Sequence, residues 1–204
     1  MNRGMVAGLM AALFAGVWQA VPPAPSAAPA NSERVERGTV PGPGGVAESY
    51  QIRLLPVDSF PELPPEMASE LKRRGCMIPQ SFEAQQPENV IEGAFRAPGS
   101  SDWAALCSVN GVTTLYVFFA GQADAPIGLR SQPDTAWLGA EPGSDIFGSA
   151  WGINVRTAED LSESRQLRGE ARFDHDGIED AHLEHAATVH YWQSGQWLVL
   201  KDRN

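Results

Sequence analysis

Four carboxylates and a glycine crowd one short stretch near the end of this chain: Asp174, Asp176, Gly177, Glu179 and Asp180. Calcium takes about six to eight hard oxygen ligands at close range. Three Asp side chains, Glu179, the Ile178 carbonyl and water supply that kind of oxygen. The stretch is therefore expected to hold calcium through Asp174, Asp176, Asp180 and Glu179. A second reading needs no metal. Asp174 or Asp176 caps backbone N–H groups, Gly177 takes a positive φ, and Arg172 neutralises the turn.

Other chemistry is harder to assemble. All four histidines fall between His175 and His190, which raises zinc. Yet His182-Leu183-Glu184-His185 matches neither zincin spacing, and on a strand His182 and His185 take opposite faces. No Gly-x-Ser-x-Gly elbow occurs, and Gly42-Pro43-Gly44-Gly45 lies in a linker-like segment. The tryptophans at 103, 137, 151, 192 and 197 sit in apolar runs where a core role suffices, although a sugar-stacking platform is the alternative. No catalytic residue or organic cofactor is assigned.

The compartment follows from the ends and the cysteines. Residues 1–20 read as a signal peptide, with Arg3 before an uncharged run from Gly4 to Trp18 and Ala20 at the cut. That run is shorter than the roughly 18–20 residues a spanning helix needs. No membrane insertion is expected after cleavage. Cys76 and Cys107 are the only cysteines, and in an exported chain they predict one disulfide. The chain carries 15 basic and 25 acidic residues, a balance that repels nucleic acid. A periplasmic or extracellular location follows as an expectation, with a protein or envelope component as partner.

The elements that must position these residues are mostly strands. Residues 21–45 are rich in Pro, Ala, Gly and Ser and predict a disordered tether. Residues 46–204 form one domain. Val46–Leu55 alternates like a strand. Pro64-Pro65 opens a short helix, basic at Lys72, Arg73 and Arg74, and Gly75 ends it. Strands follow over Asn89–Phe95, Trp103–Ser108, Val112–Phe119, Arg168–Phe173, Ala181–Ala186, Thr188–Gln193 and Gln196–Leu200. Asn110-Gly111 and Ser194-Gly195 mark tight turns. Ala158–Arg165 reads equally as a helical turn or a loop. The expected fold is α+β, mainly antiparallel β, with hairpin or blade-like units and one docked helix.

Phe95, Gly99 and Asp102 match Phe173, Gly177 and Asp180 at a constant offset, which suggests an internal repeat. In both copies a glycine turn and an aspartate precede a strand and hairpin. This arrangement resembles the blade repeat of FG-GAP and VCBS-type β-propellers of exported proteins. The resemblance implies calcium ligands at Asp174, Asp176 and Asp180 and a turn glycine at Gly177. Arg172 stands where the family places its first ligand. It covers two short segments only. The functional expectation is an exported, non-catalytic binding or accessory protein. Two alternatives stand beside it: a secreted hydrolase using Asp176, Glu179 or Asp180, and a periplasmic enzyme inhibitor.

Overall fold

A computed structural model describes residues 32–164, 172–183 and 185–201. The signal run, the first part of the tether and most of the strand expected over Arg168–Phe173 lie outside these residues. Among these described residues, thirteen strands and two α-helices follow in chain order. They are β1 (Arg34–Pro41), β2 (Ala47–Pro56), α1 (Pro65–Arg74), β3 (Met77–Pro79), β4 (Val90–Gly93), β5 (Asp102–Val109) and β6 (Val112–Phe118). Then come β7 (Ile127–Pro133), β8 (Leu138–Gly139), β9 (Ile146–Ser149), β10 (Trp151–Arg156), α2 (Ala158–Glu163), β11 (Gly177–His182), β12 (Ala186–Gln193) and β13 (Gln196–Lys201). The fold is α+β and mainly antiparallel, as the alternation of apolar residues requires.

The strands form two open sheets. The larger runs β7-β6-β5-β3-β2-β9-β8, with β1 on β2 and β4 on β5; the smaller runs β10-β11-β12-β13. Only the short β2–β9 pairing is parallel among the named strand pairs. Neither a propeller nor a closed sheet forms among the described residues.

Burial on both faces of β5 explains the layering. Trp103, Ala105 and Cys107 join a core with Met67 and Leu71 of α1, whereas Ala104 and Leu106 face a second core. That second core holds Leu115 and Val117 of β6 with Trp151, Ile153 and Ile178 of the small sheet, so the two sheets pack face to face. On the far side of the small sheet, Leu161 of α2 packs with Val189, Tyr191 and Leu200. The order is helix, sheet, sheet, helix. Each fully buried Leu, Ile or Phe contributes about 1.5–3 kcal/mol, so the intersheet layer and the layer under α1 both stabilise the fold.

The helix ends match the chemistry of their residues. Glu66 lies in the first turn of α1, the three basic residues lie in its last, and Gly75 closes it at φ 78°. In α2, Thr157 and Asp160 form a reciprocal capping box, so this ambiguous segment is a helix. Asn110 and Gly111, at φ 52° and 79°, make the β5–β6 turn.

Two expectations change. Residues 34–41 were expected in the disordered tether, but they form β1, in antiparallel register with β2 from Arg34↔Leu54 to Pro41↔Ala47. Composition misreads them because charged residues alternate with Val and Thr, and the order comes from a neighbouring strand. The internal repeat also fails. Gly99 has φ 74° in an exposed turn, whereas Gly177 opens β11 in extended backbone. A Cβ on Gly177 would meet Val189 Cγ1 at 2.7 Å, so glycine serves close packing there. Phe95 is wholly buried between the sheets, while Phe173 is half-buried beside α2.

Candidate functional site

The acids from Asp174 to Asp180 do not share a cage. Strand pairing separates them: Glu179 and Asp180 lie within β11 and point to opposite faces. Asp180 is fully buried between the sheets. Its Oδ1 accepts from Trp151 Nε1 at 2.8 Å, and its Oδ2 contacts His190 Nε2 at 2.9 Å and Arg130 Nε at 2.6 Å. Glu179 faces Arg156 at 3.7 Å. Asp176 joins segments: its carboxylate accepts from the backbone N–H groups of Ala94 and Ala158, and its own N–H donates to the Ala94 carbonyl. Asp174 bonds His175 Nδ1 at 2.6 Å and accepts from the Tyr191 hydroxyl at 3.3 Å. Among the described residues no three His, Cys, Asp or Glu side chains are grouped to hold a metal. Arg172, which was expected to neutralise the turn, contributes its carbonyl to the neighbourhood of Tyr191.

Why these groups are buried follows from the sheet register. Asp180 stands between Ile153 and Thr188 on neighbouring strands, and its face also carries Ile178, whose partner is His190. Arg130 stands opposite Leu115 and reaches across from the large sheet. Its guanidinium stacks over Trp137 at 5.0 Å. A buried carboxylate is tolerated only when it is fully hydrogen-bonded and paired, and here three neighbours provide that. Asp180 and His190 form an acid–imidazole pair like the rear half of a nucleophile triad. Asp180 Oδ2 is the side-chain partner of His190 Nε2 among the described residues.

A second polar group sits under α2. His175 is buried, with Nε2 on the Trp192 carbonyl at 2.9 Å and its ring stacked on Tyr191 at 4.4 Å. The hydrogen bond from His175 holds the Asp174 carboxyl below its usual range, against a smaller opposing effect of desolvation. Burial pushes the Tyr191 phenol upward. Nearer the surface, His182 stacks on Trp137 at 5.2 Å and lies 4.3 Å from the His185 ring. Desolvation, then His185, lowers the His182 pKa. These rings do not gather into a zinc site.

The disulfide forms as expected. Cys76 follows α1, Cys107 lies in β5, and their Cα atoms are 5.0 Å apart. With 31 residues of separation, the bridge contributes roughly 3–4 kcal/mol in the chain-entropy picture.

The surface offers a mixed cleft of about 350 Å³ between β2, β9 and the loop after β3. Arg53, Gln80, Phe82, Glu141, Ser144 and Ile146 line it. Gln80 is buried and held by the Ile78 and Glu88 backbone, which makes the floor rigid. Arg53 Nε is buried without a hydrogen bond, and Glu33 stands 3.7 Å away. Ile146 is 54% exposed at the rim. Sequence reasoning missed this cleft, because its residues come from three separated segments. Arg130 was missed too; the signal was a lone Arg beside Leu129 in an otherwise uncharged strand.

No helix among the described residues is long and apolar enough to cross a membrane. No family model, curated protein or solved structure matches this chain.

Proposed function

We propose that this protein is an exported, non-catalytic binding or accessory protein that takes a polypeptide partner of the cell envelope at the Arg53–Ile146 cleft. One observation carries the reading: Asp174, Asp176 and Asp180 bond internal partners, while the cleft brings a guanidinium nitrogen without a hydrogen bond together with an aromatic ring and an exposed aliphatic rim. Asp180 is the clearest case, with three partners and no exposed surface. The cleft has the opposite character. It combines a cation lacking a hydrogen bond at Nε, an aromatic ring and an exposed aliphatic rim. Aromatic, Arg and aliphatic groups of this kind anchor protein interfaces.

The disulfide supports an oxidising compartment. What weighs against the hydrolase alternative is that Asp176, Glu179 and Asp180 each hold an internal partner. The test is affinity capture from envelope extract with the wild-type chain, Arg53→Gln and Ile146→Asp. Wild type should retain a stoichiometric partner that both variants lose. Equal retention by all three, or substrate turnover that depends on Asp180, would overturn the reading.

A further inference from the structure

The cleft beside β2 and β9 has two electrical ends. Arg53 lies on β2, and Arg37 on β1 donates from Nε to the lining Gln51 at 3.1 Å, so the β1–β2 side is cationic. The opposite side is the loop before β9, where Glu141 and Asp145 are exposed. We propose that the partner is a polypeptide segment that presents a carboxylate to Arg53 and a basic side chain to Glu141, with an apolar residue between them. The proposal rests on the cleft reading and adds the chemistry of the occupant.

Sheet register sets that order. β9 runs parallel to β2 with Ser49 beside Ile146, and beyond that pairing the Arg53 carbonyl accepts from Gln80 N–H at 2.9 Å. Arg53 stands four positions past Ser49. At about 3.3 Å per strand residue the two ends are about 13 Å apart, the reach of about four residues of extended peptide. Phe82 fills the middle. A Cβ on Gly148 would meet Phe82 Cβ at 2.7 Å, and one on Gly139 would meet its ring at 2.6 Å, so the two glycines seat the side chain directly on β8 and β9. The ring is half-buried, and Ile146, 54% exposed, continues the apolar strip toward Glu141.

Both charges are available to an incoming segment. Arg53 Nε makes no hydrogen bond, and its ion partner Glu33 stands 3.7 Å away and is half-exposed. Among the described residues Glu141 bonds through its backbone carbonyl, which accepts from Ser144 N–H at 2.9 Å. Glu88, by contrast, is occupied, since its Oε1 accepts from Ser81 N–H at 2.7 Å. A carboxylate from outside finds a charge-assisted donor at Arg53 and displaces Glu33, the internal group of the same chemistry. Opposite charges at the two ends also fix the direction in which the segment lies.

Panning a phage-displayed random heptapeptide library on the full chain tests the assignment. Wild type should enrich peptides with an acid and a base about four positions apart and an apolar residue between them. Arg53→Glu should replace that acid by a second base, and Glu141→Lys should replace the base by a second acid. Such altered selections also show that the variants fold. With one enriched peptide, Arg53→Gln should raise the dissociation constant about tenfold, and Glu33→Gln should lower it about two- to fivefold by removing the competitor. Enriched peptides without an acid, or a selection unchanged in either charge-reversed variant, overturn the assignment; where Ile146→Asp still abolishes their binding, the cleft reading stands. Peptides that bind Ile146→Asp as tightly as wild type overturn both. No enrichment also overturns the assignment, whereas the cleft reading keeps its own test in partner capture.

Discussion

Removing the Asp180 carboxylate should cost this fold more than any comparable surface change. In Asp180→Ala, the Trp151 indole N–H and His190 lose their acceptor, and Arg130 loses its carboxylate. Breaking one side of a buried pair costs about 3–5 kcal/mol. Arg130 is 30% exposed and can turn toward water, which pulls the figure toward the lower end. The stranded indole adds part of the roughly 1–3 kcal/mol for an orphaned donor. A loss of about 3–4 kcal/mol results, against a total of about 5–15 kcal/mol for a natural domain. At about 2–4 °C per kcal/mol for a chain of this size, the midpoint should fall by roughly 6–16 °C. Asp180→Asn keeps an acceptor for Trp151 but not the charge for Arg130, and should lose about half as much. Urea denaturation followed by tryptophan fluorescence measures both. An Asp180→Ala variant within about 0.5 kcal/mol of wild type would refute the reasoning, because that is the range of surface substitutions.

Four further outcomes follow from the same geometry. Glu70 has a pKa lowered to about 2, chiefly through its hydrogen bond from Arg73, with Arg74 adding to it. Its contribution is therefore present above the ordinary carboxylate pKa and lost as pH falls from about 4.5 toward 2, and Glu70→Gln should flatten that part of the pH–stability curve. Reducing Cys76–Cys107 should lower stability by roughly 3–4 kcal/mol, read from denaturation with and without reductant. Gly177→Ala should destabilise by about 1–3 kcal/mol by forcing a methyl against Val189, measured by thermal unfolding. Chelator treatment followed by calcium should leave the melting temperature unchanged, since Asp174, Asp176, Glu179 and Asp180 serve separate partners; a shift that vanishes in Asp176→Ala would put an ion back in the stretch.

Elements whose signals are local were legible in the sequence. Alternation located β2, β5, β6, β12 and β13, and Pro65 with Gly75 bounded α1. The cysteine pair announced its own bond because the chain holds two cysteines and no third to compete. The acidic stretch misled for a physical reason. Asp-x-Asp-Gly has turn chemistry, but Gly177 is extended and Asp180 is drawn into the intersheet layer by Arg130, which lies 50 positions earlier in a different sheet. Local propensity cannot report such a partner. β1 was hidden likewise, since its order depends on pairing with β2. The cleft was invisible because Arg53, Phe82 and Ile146 meet only after the sheet forms.

The claim that this protein works by holding a partner at the cleft meets its most direct test inside the living cell. A photo-reactive amino acid placed at Ile146 should yield one discrete adduct on illumination, and the same probe at the exposed Val112 and Val199 should yield none. No adduct at Ile146, or equal adducts from all three positions, would contradict it.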